Sequence, residues 1–310
     1  MRRTGLAPLL FNLIAVYVLW GSTAPAIRVA VATLPPFEMA GIRFLIAGGL
    51  LWAFVRWRGV LLPTPREWGG AAMAGITLLA LGNGVFAWSL QYLPSSVGAL
   101  FFSLSPFFMA LFAFVLYRER LSVLGAFGLT LGFAGLVYLV APSGASSLPL
   151  APTVAGVFSA LAWGLGSMLQ RRYAARDLVQ SSAMQMLAAS GTLLALGVLT
   201  GERITVPAMT PHALMAVGYL IGFGSIVGYS CYLWLMRNVS TTLASTYAYV
   251  NPIVAIALAV TLLHEPLTPR IVVSGIVIVC GVALMMLAPK PAPVVVAALA
   301  SQACEPAGSS

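Results

Sequence analysis

Apolar residues fill long stretches of this chain, and polar residues collect in the short segments between them. A helix that crosses a bilayer needs about 20 mostly apolar residues. Barrel strands are shorter, with about ten alternating residues. The pattern therefore predicts an all-α polytopic membrane protein with ten transmembrane helices, at residues 9–30, 37–55, 68–90, 95–117, 122–141, 152–172, 179–200, 212–236, 240–263 and 270–288.

Composition narrows the class of protein further. Hydrophobic residues make up 60% of the 310 residues and charged residues 7%, whereas soluble domains carry about 25% charged residues. So few charges cannot cover a surface that faces water, which excludes a soluble enzyme, a secreted disulfide module and a disordered chain. The basic residues are dispersed among short loops, so we expect no nucleic-acid partner.

The arginines predict the orientation in the membrane. Cytoplasmic loops carry an excess of basic residues. With the N-terminus inside, and the first apolar stretch kept as a helix, only Arg203 and Arg270 fall outside. We therefore expect a multi-pass protein of a bacterial inner membrane with both termini cytoplasmic, and a disordered cytoplasmic tail at 289–310. The predicted cytoplasmic set is Arg2, Arg3, Arg56, Arg58, Arg66, Arg118, Arg120, Arg171, Arg172, Arg176, Arg237 and Lys290.

The chain repeats itself at an offset of about 146 residues. Each unit holds five helices, and five is odd, so the second unit enters the membrane from the opposite face. Inverted repeats of this kind are typical of secondary transporters, which bind substrate between the halves and work by alternating access. The matched pairs include Gly82 with Gly228, Asn83 with Tyr229, Trp88 with Trp234, Pro106 with Pro252 and Glu119 with Glu265.

Several motifs resemble the EamA-type branch of the drug/metabolite transporter superfamily. The resemblance implies two five-helix units, at 1–141 and 152–288, that export small organic metabolites such as amino acids or amphipathic compounds. The sequence departs from the pattern at Pro266, where the first unit has Arg120, and at Gln185, which matches Arg43. The motifs are Trp20-Gly21-Ser22, Arg43, Ser105-Pro106 and Glu119-Arg120-Leu121, then Asn251-Pro252 and Glu265-Pro266-Leu267.

Polar and aromatic residues inside the spans are the candidates for a substrate site. Intramembrane polar groups are costly and usually face a cavity or another helix, and small-molecule sites combine apolar walls with a few fixed polar groups. Close helix packing and aromatic core packing are the alternatives. The substrate-binding candidates are Trp20, Arg43, Asn83, Ser103, Trp163, Tyr229, Tyr232, Tyr249 and Asn251.

Arg43 stands out because no acidic residue shares its face of the second helix. Its planar guanidinium suits a substrate carboxylate or phosphate. The alternatives are pairing with helix-end carbonyls or another helix, and snorkelling to the membrane surface. Arg28 and Glu38 flank the first external loop and predict a salt bridge there.

Four residues are assigned other roles. Pro106 and Pro252 each remove a helical hydrogen bond, which predicts a hinge or a polar contact point in the fourth and ninth helices, and a tolerated kink in a packed helix is the alternative. Glu119 and Glu265 lie at loop junctions, where we expect structural roles, either capping the following helix or pairing with loop arginines.

Motifs for other chemistry are missing from the sequence. There is no phosphate-binding loop that ends in Gly-Lys-Ser/Thr, and the three cysteines lack metal-ligand spacing. We therefore expect no cofactor, no metal and no enzymatic activity. An importer or exchanger of phosphorylated or sugar-linked metabolites is the alternative within transport, and a membrane enzyme or scaffold is the alternative of another class. Energy coupling and self-association stay open.

Overall fold

A computed structural model describes residues 6–118, 122–141, 148–173, 177–239 and 246–287. Within these ranges the chain is helical and forms no strand, which confirms the predicted fold class. Eight helices are long and apolar enough to cross a membrane, and two shorter apolar helices follow them. The predicted start of the ninth span at residue 240 and the predicted tail at 289–310 lie outside the described residues.

In the described ranges, ten helices follow one another along the chain. Apart from the start of the ninth helix, their ends agree with the predicted spans to within a few residues, because a run of apolar residues marks each helix directly. They are α1 (Leu6–Val31), α2 (Pro36–Trp57), α3 (Pro65–Ser89), α4 (Ser95–Tyr117), α5 (Val123–Val140), α6 (Leu150–Arg172), α7 (Leu178–Leu199), α8 (Pro211–Tyr219, Leu220–Val227 and Gly228–Asn238), α9 (Tyr247–Leu262) and α10 (Pro269–Leu287).

Local capping explains where several helices begin. Thr64 and Glu67 form a reciprocal capping box at the start of α3. Side-chain oxygens of Ser122, Asp177 and Thr210 accept backbone N–H groups at the starts of α5, α7 and α8. Such caps satisfy amides that have no partner within the helix. They mark the polar ends of otherwise apolar segments.

The helices pack in pairs that repeat under a pseudo-two-fold relation. Helix α2 packs on α7, and α5 packs on α10, so each of these pairs joins equivalent helices of the two repeats. Likewise α1 contacts α8 and α9, while its counterpart α6 contacts α3 and α4. The core of the molecule therefore lies between the two five-helix repeats.

Glycines allow the closest of these approaches, between α5 and α10. A Cβ atom built on Gly281 would lie 2.6 Å from the carbonyl oxygen of Gly128 and 2.6 Å from the amide nitrogen of Gly132. Small residues let membrane helices approach backbone to backbone. Gly128 and Gly132 of α5 thus have a packing role in the contact between the last helices of the two repeats.

Four helices depart from regular α geometry within the described ranges, and the first of them, α1, is interrupted by a turn at Ser22. Residues Ile76–Gly84 of α3 and Leu220–Val227 of α8 are π-helical. Helix α4 is interrupted by a turn at residues 103–104, between Ser95–Phe102 and Ser105–Tyr117. Irregular turns of this kind are often found at functional sites. The two π-helical segments occupy corresponding places in the two repeats, and both face the region between them.

Candidate functional site

An aromatic cluster lies where the two repeats meet. Trp20 of α1 is its centre, and its ring contacts the rings of Trp163, Tyr229, Tyr232 and Tyr247, with centroid separations of 4.9–6.4 Å. All four neighbours are buried. Rings at these separations touch one another, so a substrate can enter the cluster only if the rings move apart.

Each tryptophan rests on a glycine of the opposite repeat. A Cβ atom built on Gly228 would lie 2.7 Å from Nε1 of Trp20, and one built on Gly82 would lie 3.4 Å from Cε3 of Trp163. The indole nitrogen of Trp20 also donates to the carbonyl of Gly224, 3.2 Å away. The contact of Gly228 with Trp20 in one direction is thus repeated by Gly82 with Trp163 in the other. The centre of the cluster therefore follows the pseudo-two-fold symmetry of the two repeats.

Arg43 lies beside this cluster and is buried, with 4% of its surface exposed. Its Nε donates to the hydroxyl of Ser225 at 2.9 Å, and its Nη1 donates to Oδ1 of Asn83 at 3.3 Å. Both acceptors lie in the π-helical segments of α8 and α3. The side chain therefore points between the repeats, and snorkelling to the membrane surface does not occur.

The second repeat has a neutral counterpart of this arrangement. Gln185, at the position that matches Arg43, accepts a hydrogen bond from the hydroxyl of Tyr229 at 3.0 Å. Tyr229 occupies the position of the second repeat that matches Asn83 in the first. Gln170 of α6 lies 3.5 Å from the same hydroxyl. The two repeats thus keep the same contact between their second and third helices, but only the first one carries a charge.

The remaining candidates donate to backbone carbonyls or have side chains that are not described. The Ser103 hydroxyl donates to the Ala99 carbonyl of its own helix at 2.7 Å. With its amide nitrogen turned inward, Asn251 donates to the carbonyls of Tyr17 and Tyr247 at 3.2 Å each, joining α1 to α9. The side chain of Tyr249 is not among those described.

The two prolines differ in their local structure. Pro106 lies in the first turn of the second half of α4, directly after the interruption. The Ser105 hydroxyl donates to the Phe102 carbonyl, to which Pro106, lacking an N–H group, cannot donate. Pro252 lies within α9, which continues through it. Helix α4 is thus divided at its proline, whereas α9 is continuous at the matched residue.

Carboxylates join the repeats at the predicted outer face. Glu265, between α9 and α10, accepts four hydrogen bonds of 2.7–3.1 Å from the amides and hydroxyls of Ser95 and Ser96. It therefore caps the start of α4 in the other repeat, and not the following helix α10 as the sequence suggested. The reason is tertiary, because the α9–α10 connection folds over the first turn of α4. Glu119 lies outside the described residues.

A second carboxylate acts in the same way. Glu202, in the α7–α8 connection, accepts the amides of Phe37 and Glu38 at the start of α2, at 3.0 and 2.9 Å. Carboxylates are favoured at helix N-termini by the helix dipole. We call the contacts made by Glu265 and Glu202 the outer clamps. Both join a loop of the second repeat to a helix start of the first.

The predicted salt bridge between Arg28 and Glu38 is wrong. Arg28 donates instead to the carbonyls of Leu90 and Gln91, at 2.6 and 2.7 Å. Glu38 accepts the amide of Ile204 at 2.7 Å. Unpaired carbonyls at the end of α3 attract a cation, and an unpaired loop amide attracts the carboxylate, so each charge is satisfied by backbone.

The pKa values of the two clamp carboxyls move in opposite directions. Burial alone would raise the pKa of Glu265, but the hydrogen bonds from Ser95 and Ser96 outweigh it and hold the pKa below its usual value. Burial raises the pKa of Glu202, against the lowering effect of the Glu38 and Phe37 amides. Glu265 is therefore the clamp that stays ionised most readily.

Sequence reasoning missed Ser225, Tyr247 and Gln170 as members of this region. Ser225 lies in the glycine-rich run from Gly222 to Gly228, where a polar residue among small ones was the available signal. Nothing in the pattern distinguished Tyr247 from the other tyrosines. Its place in the cluster depends on how α9 packs against α1.

Known proteins resemble this chain over nearly its whole length. The EamA-like transporter family matches residues 8–141 and 152–287. The uncharacterized inner membrane transporter YedA of Escherichia coli is 38% identical over 304 residues, covering 95% of this chain and 98% of its own. The uncharacterized transporter YvbV of Bacillus subtilis is 26% identical, covering 86% of this chain and 88% of its own.

A solved crystal structure has the same fold. It superposes with a TM-score of 0.64 at 23% sequence identity, and the match covers 97% of this chain and all of the other. At this identity the likeness concerns the fold alone. The two matched segments of the family coincide with the two helical repeats, and the relatives are named as transporters. The chain is a multi-pass membrane protein that belongs to the EamA-like transporter family.

Proposed function

We propose that this protein is a secondary transporter that exports small organic metabolites, such as amino acids or amphipathic compounds, by alternating access. One observation carries the proposal: the buried aromatic cluster is built from both repeats around Trp20 and Trp163, with Arg43 beside it. A site shared by two repeats changes its exposure when one repeat rocks against the other.

The outer clamps support alternating access. They are polar contacts between a loop of one repeat and a helix start of the other, so they can break without disturbing the core of either repeat. In the conformation described, Glu265 and Glu202 hold the predicted outer face together. Opening toward that face requires the loss of both contacts. Pro106, at the interruption of α4, is the proposed hinge on this side, and Pro252 is its counterpart in α9.

The orientation is part of the proposal. We place residues 1–141 and 152–288 as the two repeats, with both termini and the 289–310 tail in the cytoplasm of a bacterial cell. The excess of arginines in the loops of one face supports this. The inner membrane in the name of the Escherichia coli relative supports the location.

Arg43 also favours a second candidate within transport, an importer or exchanger of phosphorylated or sugar-linked metabolites. A guanidinium binds phosphate as well as carboxylate. The described part of the site offers this one cation next to the cluster. The two candidates differ in the direction of flux and in the preferred anion, so one assay separates them.

Flux into proteoliposomes tests the function. Purified protein should move a labelled metabolite from a broad panel across liposomes without ATP, and empty liposomes are the control. No flux for any compound would count against a transporter. Accessibility labelling of single cysteines at Leu267 and Arg58 in cells tests orientation, and we expect only the first to react with an impermeant reagent added outside.

A further inference from the structure

The buried guanidinium of Arg43 lacks a counter-charge. Its two hydrogen bonds go to neutral oxygens, those of Ser225 and Asn83. Its Nη2 donates to no group in the described ranges, and no carboxylate there pairs with it. The guanidinium carbon lies 4.9 Å from the ring centroid of Phe44, a contact of modest strength.

A charge in this position is costly. Neutral hydrogen-bond acceptors satisfy the N–H groups of a guanidinium but leave its charge uncompensated, and an unpaired charge in a low-dielectric interior is strongly disfavoured. The cost would fall if an anion entered the site. The second repeat shows that folding does not demand the charge, since Gln185 fills the matched position with a neutral amide.

The free edge of the guanidinium adjoins the aromatic cluster. A Cβ atom built on Gly224 would lie 3.3 Å from Nη2, so the glycine leaves this edge uncovered. The carbonyl of the same residue accepts the indole N–H of Trp20. An anionic group on Nη2 would therefore place the rest of its molecule against the rings.

We propose that Arg43 binds a single carboxylate of the transported molecule, whose remaining part lies against the aromatic cluster. The inference rests on the proposed function and specifies its substrate class. One carboxylate neutralises the one charge of Arg43. A phosphate monoester carries about 1.5–2 negative charges at pH 7 and would leave a net negative charge in the site, and a cation would be repelled.

The neutral end of the site fits the same class of molecule. Gln185, Gln170 and Tyr229 offer amide and hydroxyl groups without charge. A molecule with one carboxylate and a body that carries no second anionic group complements both ends. The carboxylate can belong to an organic acid or to an amino acid, whose ammonium group would then face the aromatic rings.

Binding to the wild-type protein tests the inference without any mutation. The probes share one branched alkyl body: 4-methylpentanoate, its primary amide, leucine and 3-methylbutyl phosphate, each titrated calorimetrically into the detergent-solubilised protein. We expect the best carboxylate, free acid or leucine, to bind at least about tenfold more tightly than the amide, since hydrogen bonds to a charged group are the stronger kind. It should also exceed the phosphate. Which of the two carboxylates binds better identifies the source.

Two variants locate the effect. Arg43→Gln, which copies the residue of the second repeat, should abolish the preference for acid over amide. Arg56→Gln is the matched control, because Arg56 lies near the end of the same helix and is exposed. Among the described residues it donates to the carbonyl of Val60 alone. It should keep the preference. A preserved melting temperature shows that each variant is folded, and if Arg43→Gln fails to fold, the wild-type comparison still decides.

The outcomes separate this inference from the proposed function. Equal binding of acid and amide, tighter binding of the phosphate, or a preference that survives in folded Arg43→Gln would overturn the carboxylate site, even if the protein moves other compounds through liposomes. Tight, Arg43-dependent binding of a carboxylate without flux of any compound would support the site and contradict transport.

Discussion

Trp20 and Trp163 meet edge to face, with ring centroids 6.0 Å apart and ring planes at 90°. The two residues occupy matched positions in α1 and α6, so the contact joins the repeats at their pseudo-two-fold relation. Any rocking of one repeat against the other must change it. Trp20→Ala should therefore cause a marked loss of flux with only a small fall in the melting temperature. Trp57→Ala is the control, because Trp57 is 83% exposed. Equal effects of both variants on flux would argue against a role for the cluster.

The glycine beneath Trp20 should tolerate no side chain. In Gly228→Ala the new methyl group would lie 2.7 Å from the indole nitrogen and 3.0 Å from the carbonyl oxygen of Phe223. Overpacking of this kind costs about 1–3 kcal/mol, which thermal unfolding in detergent would detect. Gly222→Ala, in the π-helical segment of the same helix, meets no atom within 4 Å and should be harmless. Indistinguishable melting temperatures for the two variants would refute the contact.

The contact between α5 and α10 makes a second prediction about stability. In Gly281→Ala the methyl group meets backbone atoms of Gly128 and Gly132, which cannot rotate away. The two helices must separate, so we expect a clear fall in melting temperature. On the same helix, Gly275→Ala meets its nearest atom, a Leu100 methyl carbon, at 3.5 Å, an ordinary contact. The packing described here would be disproved if Gly275→Ala were the more damaging change.

The clamp at Glu265 predicts how the outer face opens. Glu265→Gln replaces a charged acceptor with a neutral amide and weakens its bonds to Ser95 and Ser96. Spin labels at Tyr92 and Leu267, in the two outer loops beside the clamp and on an otherwise cysteine-free protein, should report longer and broader distances. Glu67→Gln serves as the control, since Glu67 caps α3 within its own repeat. An unchanged distance distribution in Glu265→Gln would show that the clamp does not hold the face closed.

Acid should open the same clamp, because the hydrogen bonds from Ser95 and Ser96 hold the pKa of Glu265 below its usual value. The stabilisation is then fully present above the ordinary carboxyl pKa of about 4.3 and is lost as pH falls through the lower pKa of the closed state. Burial raises the pKa of Glu202, so its contribution changes in the opposite sense. Spin-label distances should hold from pH 7 to 5 and lengthen below pH 4. Distances that stay unchanged from pH 7 down to pH 3 would show that the ionisation of Glu265 does not hold the clamp.

Sequence analysis predicted the fold well because helix positions depend on local information. A run of apolar residues identifies each membrane helix by itself. The repeat is identified by residues that recur at nearly constant spacing, such as Trp20 with Trp163 and Gly82 with Gly228. The cluster could be anticipated in part, since Trp20, Tyr229 and Tyr232 are aromatic residues deep within spans.

The partners of charged and polar groups could not be predicted in the same way. Glu265 binds Ser95 and Ser96, which lie 170 and 169 positions away, and Arg28 binds backbone carbonyls that any sequence offers. Such contacts depend on how the loops of one repeat fold over the other. Only the packed structure shows them, and Ser225 was missed for the same reason.

If the protein works by alternating access as proposed, the charge of Arg43 would make one step of the cycle sensitive to membrane voltage. If the site reorients without cargo, it moves a positive charge, whereas a site neutralised by a carboxylate moves none. A membrane potential acts on a moving charge with about 2.3 kcal/mol per 100 mV for a full crossing. A voltage that is negative inside would therefore draw the empty site toward the cytoplasm and leave the loaded step unaffected. On this account the resting potential alone would reset an exporter for its next molecule, without a coupled ion.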